Sequence, residues 1–193
     1  MKKLSGLILT ALMMVFVMGG CGIGETAPTE NTITVGKDGA VKGVIVEEFD
    51  KDYYDQSSLE TMISEEIQEF NKGADAVRLD TLEVDENGAN VQISYVNAQT
   101  YKEFNDVEFF CGNASDAQKA GYELADVSNV KEGAAGLTAS EVANSGLMLL
   151  VFEEPVCVRV SGAIRYVSTG VEVTGKKSAK AQGEGLFYIL FEA

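Results

Sequence analysis

From Leu147 to its C-terminus the chain reads as one strand after another, and this limits the fold more than any other feature. Leu147 to Phe152 is an unbroken apolar run, the pattern of a strand buried on both faces. Glu153-Glu154-Pro155 interrupts it. Val156, Val158 and Val160 then alternate with Cys157 and Arg159, which is the period-2 signature of a half-buried strand. Ile164–Ser168, Val171–Thr174 and Leu186–Phe191 continue the series. Such a segment must build a sheet, and a sheet with an apolar face needs a second layer to cover it.

The rest of the chain supplies that cover. Leu59, Met62, Ile63, Ile67 and Phe70 recur at helical spacing and form one apolar stripe, which predicts an amphipathic helix over about 58–72. Ser57-Ser58-Leu59-Glu60 fits a capping box and Gly73 a C-terminal stop. Glu65, Glu66 and Glu69 fall mostly off the stripe. Two hairpins flank this helix. One runs Thr32–Val35 to Val41–Phe49 around Lys37-Asp38-Gly39, the other Val77–Val84 to Ala89–Tyr95 around Asp85-Glu86-Asn87-Gly88. Short helices are expected over Asn97–Asn105 and Ser115–Tyr122, with a short strand at Val107–Cys111 between them. Lys131 to Gly146 is Gly/Ala/Ser-rich and reads as a long loop with one helical turn near Ala139–Asn144. The expected fold class is α+β: an antiparallel sheet packed by one main amphipathic helix, in a single domain over 32–193.

The N-terminus carries a different message. Lys2 and Lys3 precede Leu7–Met18, a 12-residue apolar run broken only by Thr10. That run has the size of a secretory h-region and is short for a membrane span. Met18-Gly19-Gly20-Cys21 follows, and it resembles the lipobox of bacterial lipoproteins. The resemblance implies cleavage of residues 1–20 as a signal peptide and a diacylglycerol on the Cys21 thiol. Residues 21–31 are small and polar, as a flexible tether would be. The body behind them also resembles uncharacterised lipoproteins of Gram-positive bacteria. That likeness rests on Tyr101-x-x-Phe104-Asn105 and on the Gly162–Ser168 strand, and it carries no activity with it.

Composition narrows the chemistry. The chain has no His, which removes imidazole bases, His-bearing triads and His-ligated metals. Fifteen basic against thirty acidic side chains argue against nucleic acid, whose phosphates need Lys and Arg. Without residues 1–20 the balance is thirteen basic to thirty acidic, net −17, so only acyl chains could hold the protein to an anionic membrane. The acids concentrate over residues 47–126, where twenty stand against five basic side chains.

Glu47, Glu48, Asp50, Asp52 and Asp55 form the densest acidic stretch. It could meet a cation or a basic partner, or be a solvated strand end leading into a helix N-terminus. EF-hand spacing fails, since Asp55 stands where that loop needs Gly, and no metal or cofactor is expected. Charge alone suggests that this acidic side faces away from an anionic membrane. Ser128 and Lys131 match S-x-x-K with none of its partner motifs. Cys111 and Cys157 could bond in an extracytoplasmic setting or stay as separate buried thiols. The functional expectation is a lipid-anchored, extracytoplasmic, non-enzymatic binding or interaction module on the cell membrane. The alternative is an envelope hydrolase working with paired carboxylates.

Overall fold

The computed structural model describes residues 28–48, 55–85 and 88–193. Strands dominate: β1 (Thr32–Val35), β2 (Val41–Glu47), β3 (Val77–Asp85), β4 (Gly88–Tyr95), β5 (Phe109–Asn113), β6 (Ser128–Asn129), β7 (Met148–Phe152), β8 (Cys157–Arg159), β9 (Ile164–Val167), β10 (Val171–Gly175), β11 (Ser178–Ala181) and β12 (Phe187–Phe191). Four helices are interspersed among the described residues: α1 (Gln56–Asn71), α2 (Ala98–Asn105), α3 (Ala114–Ala117) and α4 (Ala139–Val142).

The α+β class holds, but there are two sheets where one was expected. One sheet has seven strands in the order β10-β11-β8-β1-β2-β4-β3, the other five in the order β5-β7-β12-β9-β6. Pairing is antiparallel except between β1 and β8, which run parallel with Thr32 opposite Cys157. The two sheets share one core. Ile33, Val35, Val41, Ile93 and Val158 of the larger sheet cluster with Leu150, Phe152, Ile189 and Phe191 of the smaller one. α1 adds Ile63 and Ile67 to that cluster, and α2 adds Tyr101.

β7 and β12 are buried on both sides, as the apolar run predicts. Leu150 and Phe152 point into the shared core, while Leu149 and Val151 point into a second cluster with Tyr188 and Leu190. The chain between β5 and β7 covers that second face. Ala117, Tyr122 and Val127 pack there, and the Gly/Ala-rich loop adds Leu137 and Val142 to the cover over the smaller sheet. Val127 and Leu137 clasp it through two backbone hydrogen bonds of 2.9 Å. Gly136 allows this approach, because a Cβ there would collide with the Val127 carbonyl.

Helix boundaries differ from expectation in instructive ways. α1 starts two residues before the expected position because Asp55, not a serine, is its cap: Asp55 Oδ1 accepts from the Ser58 N–H at 2.8 Å. Lys72 closes the helix in the left-handed region at φ 47°, followed by Gly73 at φ 94°. Ile63 and Ile67 are buried, Leu59 and Phe70 are partly buried, and Met62 stays 36% exposed, so the stripe is narrower than the spacing implies. The expected helix over Ser115–Tyr122 is a single turn, α3, and Ser115 lies inside it instead of capping it.

Candidate functional site

The most concentrated chemistry among the described residues lies where α2, the start of β5 and the end of β7 meet. α2 is capped by Asn97, whose Oδ1 accepts from the Thr100 N–H at 2.9 Å. That cap sets the phase that turns Tyr101 inward and Lys102 partly outward. Tyr101 is 5% exposed, and its hydroxyl donates to Glu154 Oε2 at 2.7 Å. Tyr95 packs edge-on against Tyr101 at 4.9 Å between ring centroids, and Phe104 against Tyr95 at 5.7 Å. One carboxyl is thus set into an aromatic wall.

A second set adjoins it. Lys102 Nζ donates to Glu108 Oε2 at 2.7 Å and to the Tyr122 hydroxyl at 3.1 Å. The Tyr122 hydroxyl donates to the same Glu108 oxygen at 2.8 Å. Glu153 links the two sets, its Oε1 accepting from the Glu108 N–H at 3.1 Å.

The two carboxyls at the ends of this network are pushed apart. Burial raises the Glu154 carboxyl, and the charge of Glu153 adds to the effect while the Tyr101 bond opposes it. Glu108 is lowered by its hydrogen bonds from Lys102 and Tyr122. Burial, with Glu154 nearby, holds the Tyr101 phenol well above its ordinary value. A carboxyl raised by burial and another lowered by its hydrogen-bond donors, joined through Glu153, are the pairing of environments that acid/base chemistry uses. Here every named group already has a protein partner. Two grooves among the described residues lie elsewhere: one on α1 lined by Ser57, Thr61 and Glu65, and one between α1 and β3 lined by Asn71, Asp75 and Arg78.

Of the acidic stretch, Glu47, Glu48 and Asp55 lie among the described residues. Glu47 ends β2, half-buried, with its carboxyl raised by burial and by Glu48; Glu48 is exposed. Asp55 is committed to capping α1, and its bonds from Ser57 and Ser58 lower its carboxyl. Asp50 and Asp52 lie outside the described residues, as does Cys21. Among the described residues no three Cys, Asp or Glu side chains come together to hold a metal ion. The loop over 131–146 sits on the far face of the smaller sheet, away from the sheet that carries Glu47.

The two cysteines are not joined. Cys111 is on β5 of the smaller sheet with a free thiol, which burial pushes up to about 11; Cys157 is buried on β8 of the larger sheet.

In the sequence Glu153-Glu154-Pro155 reads only as the break after an apolar run, and the network is not visible there. The signal that could have found it is Tyr101-x-x-Phe104-Asn105, whose inward phenol needs a polar partner once buried. Compared with known proteins, the chain matches no family model, no curated protein and no solved structure. Among the described residues no helix is long and apolar enough to cross a membrane.

Proposed function

We propose that this protein is a lipid-anchored extracytoplasmic binding or interaction module, held on the outer face of the cell membrane by acyl groups on Cys21. One observation carries the reading: a basic pair, a 12-residue apolar run and Met18-Gly19-Gly20-Cys21 precede a polar stretch that leads directly into β1. A double-layered β body suits a module of this kind, because sheets buried against each other hold their loops and edges in fixed places for a partner. Cys21→Ala tests the anchor. The variant should accumulate as unprocessed precursor or leave the membrane fraction. Normal membrane partitioning without acyl mass on the N-terminal peptide would defeat the reading.

A carboxylate-based hydrolase is the second reading, favoured by the opposed shifts of Glu154 and Glu108. It requires turnover of a glycan or peptide that disappears in Glu154→Gln or Glu108→Gln while the fold survives.

A further inference from the structure

The junction between tether and body has a fixed place on the larger sheet. Asn90 Nδ2 donates to the Pro28 carbonyl at 3.1 Å, and Asn31 Oδ1 accepts from the Val46 N–H at 2.7 Å. Glu30 pairs with Lys180 at 2.5 Å, and the Cys157 N–H donates to the Asn31 carbonyl at 3.0 Å. These contacts come from four strands (β2, β4, β8 and β11), so residues 28–31 are part of the body. They all lie at one end of it. The register puts Thr32 at the start of β1 beside Cys157 at the start of β8, and Glu47 at the end of β2 beside Ala89 at the start of β4. The opposite end carries the Gly36–Ala40 turn with Lys37, and Asn71, whose side chain bonds both backbone groups of Val77 at the start of β3.

We infer that the body stands end-on at the bilayer, with the Glu47/Ala89 end of the larger sheet toward the lipid and the Gly36–Ala40 turn outward. This rests on the anchored reading above. The reason is reach. From Cys21 to Pro28 there are seven Cα steps, about 25 Å at full extension. β2 alone is roughly 20–24 Å long. To turn the Lys37 end toward the lipid, the tether would have to run back along the whole sheet with nothing to spare. The tether therefore sets the orientation against the charge. Glu47 and Glu48 sit at the near end, where anionic lipid repels them, while the exposed Lys37, Lys72, Lys176 and Lys177 lie elsewhere, together with the exposed Asp38 and Asp75.

The test uses the chain recovered from membranes, with the acyl state of its N-terminal peptide read first by mass. A donor dye is placed at an exposed position of either end, by Lys37→Cys or Glu48→Cys, with the unsubstituted protein as background for Cys111. Each protein is reconstituted in vesicles of neutral or anionic lipid with a headgroup acceptor. The expected result is a larger loss of donor fluorescence at 48 than at 37 in both lipids, the positions being about 20 Å apart along the strands. Equal losses, or an order that reverses in anionic vesicles, would overturn the orientation alone. An N-terminal peptide without acyl mass would overturn the anchor, and the orientation with it.

Discussion

Gly162 precedes β9 where the chain passes the backbone of Glu192, and the Glu192 N–H donates to the Ala163 carbonyl at 3.0 Å. A Cβ on residue 162 would overlap the Glu192 carbonyl oxygen. Gly162→Ala should therefore cost about 1–3 kcal/mol, read as a lowered urea midpoint with unchanged slope. Glu154 carries the other residue-scale argument. Its carboxyl is raised from 4.5, so the folded protein holds that proton more tightly than the unfolded chain. Its contribution to stability is fully present below the ordinary carboxyl value and is lost as pH rises through the raised one. Glu154→Gln keeps an acceptor for the Tyr101 hydroxyl and removes the ionisation. The variant should thus lose less stability than the parent between pH 4.5 and neutrality, measured as the difference in urea midpoints. Tyr101→Phe has the opposite effect: it strips the carboxylate of its donor and should cost about 1–3 kcal/mol at neutral pH.

At the scale of elements, α1 shows how packing selects from a periodic pattern. Ile63 and Ile67 reach the shared core, whereas Met62, one position away from Ile63 on the same stripe, is 36% exposed. Ile63→Ala and Ile67→Ala should each cost about 2–5 kcal/mol, the cavity included. Glu65→Ala on the exposed side should change stability by less than about 0.5 kcal/mol. Equal losses from both faces would mean that the helix is rotated from the phase described. β11 shows the reverse case. Ser178–Ala181 has no β-branched or aromatic residue and gave no strand signal, yet Ala179 and Ala181 are fully buried between β10 and β8. Its small side chains form a strand because neighbours on both sides offer backbone partners, a preference set by context more than by residue type.

For the molecule as a whole, the smaller sheet is the part most shielded from water. β7 and β12 lie inside that sheet, flanked by β5 and β9, and both their faces are covered. Amide exchange should be slowest at Leu149–Val151 and Tyr188–Leu190, which should open only with global unfolding. β3, an edge strand interrupted by a bulge between Leu79 and Thr81, should exchange faster by local opening. Exchange at β3 as slow as at β12 would mean that α1 locks that edge into the same cooperative unit.

Local pattern determined much of this protein. Alternation and apolar runs marked most of the strands, the apolar stripe marked α1, and both hairpins formed about where their turn residues stand. These features are legible because period 2 or 3.6 states directly which face of an element must leave water. The same patterns are silent about partners. That the strands divide into two sheets, that β1 lies parallel to β8, and that the 131–146 loop covers a sheet face were decided only by tertiary structure. An alternating strand specifies a buried side, and many neighbours can supply it. Glu154 is the sharpest case: beside Pro155 its sequence context is that of an exposed turn, and only the arrival of Tyr101 from α2 makes it a half-buried, hydrogen-bonded acid.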